Sequence, residues 1–305
     1  MRRSQTGMSA DRIALAVAVV LAGLTVGVAF VHDRLSPSGV LPPKLVFVAT
    51  GKISDQSMEF DEPSGLTFSA TGSGLVSVSD NSGALYISST EGKTLERIDL
   101  GKKMDGLEGV EQDRETGRIL LVREDSTEII EVWPDGRSAP ARHPLAEMAG
   151  YAAIADAFAN ADSNDGLEGI ALVPETGTII LAKEKNPRML IEVTNDLRTI
   201  RGALYLSADL GFVGGKLDDG TLDVSGLAYD ATRKAIWITS DTGERVFLFD
   251  PVTRRALWYP LFWMDQQQQR VLQNAEGVAV SEDGKRLFVV TDDGKDSRYV
   301  EYTID

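Results

Sequence analysis

A glycine followed by an aliphatic residue recurs five times, at Gly65-Leu66, Gly109-Val110, Gly169-Ile170, Gly226-Leu227 and Gly277-Val278. Fifteen residues after each glycine stands a carboxylate: Asp80, Glu124, Glu184, Asp241 and Asp292. The glycines are 44, 60, 57 and 51 residues apart. A pattern repeated at such intervals marks copies of one supersecondary unit, which can bury its faces only against neighbouring copies.

Within each unit the glycine is followed by a polar turn, such as Pro174-Glu175-Thr176-Gly177 or Glu282-Asp283-Gly284, that suits a tight hairpin. Apolar, β-rich runs come next: Leu75–Ser79, Ile119–Val122, Ile179–Ala182, Ile236–Thr239 and Leu287–Val290. Third runs follow at Leu85–Ser88, Ile129–Val132, Leu190–Val193, Val246–Phe249 and Tyr299–Ile304, and outer segments are clearest at Thr94–Leu100, Thr199–Leu206 and Ala256–Phe262. The fifth unit has only three strands, whereas an unassigned strand, Lys44–Ala49, precedes the first. The expected fold is all-β, a five-bladed β-propeller closed by that N-terminal strand, which leaves no sheet edge open.

The alternative is a sixth blade inside a long interval. The longest interval holds the Ala-rich run Leu145–Asn160, whose apolar residues fall at helical spacing and predict a helical insertion. Gly211–Asp223 is rich in Gly and Asp and predicts an excursion between blades three and four. Neither contains four strands.

The N-terminus reads separately. Residues 1–12 carry Arg2, Arg3 and Arg12, and the uncharged run 13–31 would span roughly 28 Å as a helix, about one bilayer core. The run reads as a single transmembrane anchor with the arginines in the cytoplasm, or as a cleavable signal peptide, although no Ala-x-Ala site closes it. Residues 32–43 then form a linker to a propeller domain over 44–305. Either reading places that domain outside the cytoplasm, facing the periplasm or exterior of the inner membrane. With no cysteine in the chain, disulfides, thiolate catalysis and Cys-ligated zinc are excluded. Residues 1–43 hold four Arg and two Asp, so the net −15 of the chain becomes −17 for the remainder. Nucleic acid is a poor partner for so acidic a body.

If each hairpin turn is centred seven residues after its glycine, the residue before the glycine faces the carboxylate fifteen after it. Glu108 then opposes Glu124, Glu168 opposes Glu184 and Glu276 opposes Asp292, while Ser64 and Ser225 oppose Asp80 and Asp241. Like charges across a strand pair destabilise by some tenths to about 1 kcal/mol, so their repetition calls for compensation. Oxygen ligands converging from several blades suit a hard divalent cation, Ca²⁺ above all. The expected metal ligands are Asp80, Glu108, Glu124, Glu168, Glu184, Asp241, Glu276 and Asp292, with Asn164 and Asn274 beside them. Two alternatives stay open. Arg123, Lys183 and Lys185 would neutralise the adjacent carboxylates in a metal-free, blade-to-blade hydrogen-bond device, or a carboxylate pair would act as acid and base. Of the other candidate residues, His143 lies outside the repeated framework, Trp237 and Phe288 occupy core positions, and Gln266–Gln269 reads as loop.

The phrases Glu62-Pro63-Ser64-Gly65-Leu66, Asp105-Gly106-Leu107-Glu108-Gly109-Val110, Asn164-Asp165-Gly166-Leu167-Glu168-Gly169-Ile170 and Val224-Ser225-Gly226-Leu227-Ala228 resemble the SdiA-regulated (YjiK-like) family of bacterial envelope proteins. The resemblance covers roughly residues 44–305 and implies an exported β-propeller behind an N-terminal hydrophobic segment, with no established reaction. At the level of fold and channel chemistry the chain is also similar to calcium-dependent propeller hydrolases such as gluconolactonases and paraoxonases. The expected function is a Ca²⁺-binding scaffold or binding module of the envelope, with an unknown envelope ligand or protein as partner. The alternatives are a Ca²⁺-dependent hydrolase of lactones, esters or phosphoesters, and a metal-free interaction domain.

Overall fold

A computed structural model describes residues 42–101, 104–159, 165–214 and 222–305. The segment read as an anchor or signal, residues 13–31, lies outside them, and among the described residues no helix is long and apolar enough to cross a membrane. The chain divides into Met1–Pro43 and Lys44–Asp305, and the second unit contains every element below.

A first strand, β1 (Leu45–Lys52), precedes the blades. Blade one is β2 (Pro63–Phe68), β3 (Gly74–Ser79), β4 (Ser82–Ser89) and β5 (Thr94–Asp99). Blade two is β6 (Leu107–Gln112), β7 (Ile119–Arg123), β8 (Glu128–Val132) and the four-residue β9 (Ala141–Pro144). Blade three is β10 (Leu167–Val173), β11 (Thr178–Lys183), β12 (Met189–Val193) and β13 (Ile200–Tyr205). Blade four is β14 (Leu227–Asp230), β15 (Ala235–Ser240), β16 (Arg245–Asp250) and β17 (Arg255–Pro260). An added hairpin, β18 (Phe262–Asp265) and β19 (Gln268–Val271), leads to blade five, β20 (Ala275–Val280), β21 (Arg286–Thr291) and β22 (Arg298–Ile304). Every blade is a four-stranded antiparallel sheet, and the fifth takes β1 as its outer strand in the order β1-β22-β21-β20. The fold is a five-bladed β-propeller.

The second strands show why the blades must stack. Gly74–Ser79, Thr178–Lys183 and Ala235–Ser240 are buried along their whole length, because each lies inside its sheet with another sheet over both faces. Five apolar clusters fill the five gaps between neighbouring blades. Leu85 and Val78 meet Leu121 and Ile130 between blades one and two, and Phe288 and Val290 meet Phe68 and Leu75 between blades five and one. Trp237 and Phe288, expected in the core, are both fully buried.

Two local expectations need correction. Of the run 145–160, the described residues 145–159 do not form one helix but short turns, Leu145–Glu147 and Tyr151–Ala153, followed by a single helical turn, Asp156–Ala159. The cause is that the backbone of Ala149 is engaged elsewhere: it donates to Arg198 O (2.9 Å) and accepts from Ile200 N (2.8 Å), and Gly150 then takes a left-handed φ of 89°. The glutamine run is likewise not plain loop. Gln266 and Gln267, both at positive φ, make the turn of the β18–β19 hairpin, and Gln268 and Gln269 begin β19.

Candidate functional site

The first strands β2, β6, β10, β14 and β20 line the central axis, each against its neighbours, with β20 next to β2. Their N-terminal ends carry the residues that precede the anchor glycines, and there the register departs from the simple hairpin. Leu107 pairs with Arg123 but Gly109 pairs with Val122, so Glu108 is an extra residue. Glu168 stands out in the same way between Leu167–Lys183 and Gly169–Ala182. The ladders of blades one and five shift at the same place. In blade four Ser225 N donates to Thr239 O (3.0 Å) while Thr239 N donates to Gly226 O (3.1 Å). A β-bulge therefore sits before every anchor glycine, and the directly opposed pairs Glu108–Glu124, Glu168–Glu184, Glu276–Asp292, Ser64–Asp80 and Ser225–Asp241 do not form. A bulge re-aims its extra side chain, here toward the axis.

The glycines follow from the same geometry. A Cβ on Gly65 would stand 2.6 Å from Glu108 O, one on Gly109 2.6 Å from Glu168 O, and one on Gly226 2.4 Å from Glu276 O. These three glycines make room for the bulged glutamate of the next blade, whereas Gly169 and Gly277 face Leu227 and Leu66 of theirs.

The result is a cup of about 200 Å³ at one end of the axis, lined, among the described residues, by nine carboxylates, two serines and one lysine. Of the expected ligands, Asp80, Glu108, Glu124, Glu168, Glu184, Asp241, Glu276 and Asp292 all reach it. Asn274 is not among the lining residues: its side-chain amide donates to Asp293 (2.7 Å), and its backbone carbonyl accepts from Asp292 N (2.8 Å). Asn164 lies outside the described residues. The ninth carboxylate, Asp223, comes from the end of the Gly- and Asp-rich excursion before blade four, and it also accepts from Ser240 Oγ (2.6 Å) and Thr242 N (3.1 Å). Beneath the cup, Leu66, Val110, Ile170, Leu227 and Val278 close around the glycines and leave about 10 Å³. That is barely room for one water.

The expected local neutralisation fails for two of its three cations. Arg123 donates to Asp105 O (2.8 Å) and turns toward Glu128 (3.5 Å), and the buried Lys183 donates to the carbonyl of Lys185. Only Lys185 among these three is ion-paired with a cup carboxylate, Glu184, at 2.7 Å. With so little positive charge, burial first and carboxylate neighbours second favour the protonated acids. Glu108 is pushed up to about 8 by burial and by Asp80 and Glu124. Burial raises Glu184 to about 7, against the pull of Lys185, and Asp80 to about 6, helped by Glu62 and Asp292. Glu168 and Glu276 are raised well above the usual range by burial and by the acids around them.

Three groups fit one ion. Glu124, Glu168 and Glu184 each present an oxygen, and all three oxygens lie within 4.8 Å of one another. Oxygens bound to one Ca²⁺ at about 2.4 Å can be at most about 4.8 Å apart, so the trio needs little movement to share an ion. Glu184 Oε2 and, on the other side of the cup, Asp80 Oδ1 are buried with no hydrogen-bond partner. Glu168 is only 9% exposed, and its hydrogen-bonded neighbour is another acid, Glu124. Buried acids without donors are costly unless protonated or met by a cation.

Fold and site together define a five-bladed β-propeller with an acid-lined axial cup. The chain belongs to the SdiA-regulated family, whose model matches residues 51–293. No curated protein sequence matches it. Among solved structures it is similar to a chain of a nidogen/laminin complex, at 16% identity and a TM-score of 0.50, over 82% of this chain and 85% of that one. It is also similar to a streptogramin B lyase (10% identity, TM-score 0.46, 84% of this chain and 98% of that one). A virginiamycin B lyase from Staphylococcus aureus gives 12% identity and a TM-score of 0.44 over 83% of this chain and 73% of the other. At these identities the likeness concerns the fold alone.

Proposed function

We propose that the axial cup binds a divalent cation, Ca²⁺, and that the protein is a binding or scaffolding module of the cell envelope. One observation carries this reading: Glu124, Glu168 and Glu184, from two blades, bring oxygens within 4.8 Å of one another where, among the described residues, no arginine and one lysine oppose nine acids. The remaining positions of a six- to eight-fold shell would come from Glu108, Glu276 and water. Calorimetric titration of the full-length chain with Ca²⁺ tests it. Saturable heat and a raised thermal midpoint are expected, and neither effect at millimolar Ca²⁺ removes the cation.

The envelope setting rests on the uncharged run 13–31, read as one membrane anchor with the propeller on the outer side. Fractionation with protease protection tests that topology. The ring is read as closed by β1, a reading supported by its pairing with β22 and by the apolar cluster between blades five and one.

A second reading, a Ca²⁺-dependent hydrolase of lactones, esters or phosphoesters, is favoured by Glu108. A carboxyl raised to about 8 beside a cation site suits proton transfer near neutral pH. Turnover of such esters that chelator abolishes and Glu108→Gln reduces would support it.

A further inference from the structure

We infer that the cup is one half of a composite site, and that a groove along blade three receives an organic oxyanion whose head group meets the bound cation and Lys185. This rests on the cation reading above and adds the ligand class.

The groove holds about 310 Å³, and Lys185 belongs to both its wall and the wall of the cup. Its other walls include Pro187, Arg188, Tyr205, Leu206 and Leu222. Tyr205, on the outer strand β13, is 55% exposed and lines the groove together with the buried Leu206 and Leu222. An apolar trough with charge at one end is the usual form of a small-molecule site. Among its described lining residues the charged side chains are Lys185 and Arg188. Arg188 is fixed by donating to Leu206 O (2.9 Å) and Leu222 O (3.1 Å), and Lys185 stands at the junction.

Lys185 gives the coupling. Its ammonium is 2.7 Å from Glu184 and 3.9 Å from Asp165. A divalent cation that takes Glu184 competes with the ammonium for the same carboxylate. The ammonium, one-third exposed, then has its donors available at the head of the groove, beside the cation. A phosphate or carboxylate placed there meets both charges, and its apolar body lies along Pro187 and Tyr205. Linkage makes the effect mutual: if the cation strengthens anion binding by some factor, the anion strengthens cation binding equally.

Calorimetry on the full-length chain with phenyl phosphate as probe, with and without saturating Ca²⁺, tests the inference. Expected are binding at least tenfold tighter with Ca²⁺, a loss of tenfold or more in Lys185→Met with Ca²⁺ affinity kept or improved, and a preference over inorganic phosphate that Tyr205→Ala removes. If Ca²⁺ binds but phenyl phosphate does not, or binds Lys185→Met equally well, the inference is overturned and the cation reading stands. If Ca²⁺ itself does not bind, both fall.

Discussion

Gly226 lies so close to Glu276 that a Cβ built on it would stand 2.4 Å from the glutamate's carbonyl oxygen. The glycine of one blade thus holds open the place in which the next blade's bulged acid is presented. Gly226→Ala must push blades four and five apart or tilt Glu276 out of the cup. A loss of about 1–3 kcal/mol, read from urea denaturation, is expected from such overpacking. Gly202→Ala is the control: its Cβ meets nothing within 4 Å, so it should be neutral or slightly stabilising.

The carboxyls of the cup set the pH dependence of the metal-free protein. Glu108 and Glu184 hold protons in the folded state up to about 8 and about 7, whereas unfolded they lose them near 4.5. Between those values the unfolded state binds fewer protons, so stability falls as pH rises. In chelator the thermal midpoint should be higher at pH 5 than at pH 8. Excess Ca²⁺ should reverse the trend, because the cation displaces the protons. A midpoint independent of pH in chelator would contradict the buried-acid account.

Glu168→Gln separates the two costs carried by one side chain. Without metal it removes a raised, nine-tenths-buried acid from its neighbours Glu108, Glu276 and Glu184, so the midpoint should stay level or rise. With metal it removes a ligand, so Ca²⁺ affinity should drop at least tenfold. Paired melting curves and calorimetry on the one variant give opposite signs if the trio is the cation site.

Deleting residues 44–52 removes β1 and bares the edge of β22, along with the packing of Leu45 and Phe47 on the blade four–five cluster. The shortened chain should melt several degrees lower and associate on a sizing column, as open sheet edges do. An unchanged monomer with an unchanged midpoint would mean that β1 is dispensable to the ring.

The blades were legible because each apolar run sits at a fixed distance from a glycine, and the acids at fixed offsets indicated convergence on the axis. The register was not. A bulge adds one residue without altering composition, so Glu108 and Glu168 read as cross-strand partners of Glu124 and Glu184, although they are extra residues aimed inward. The helical spacing of Leu145–Asn160 was real, but Ala149 hydrogen-bonds to the edge of blade three, a long-range contact that no local pattern encodes. Lys185 and Lys183 looked equivalent beside Glu184. Burial separates them, turning one into a support for the other's carbonyl.

The tight collar of glycines and aliphatic side chains leaves about 10 Å³ below the acids. Among the described residues the axis therefore narrows sharply just under the acids. The cup is reached from its wide rim, and any body seated over that rim would slow the escape of an ion held beneath it.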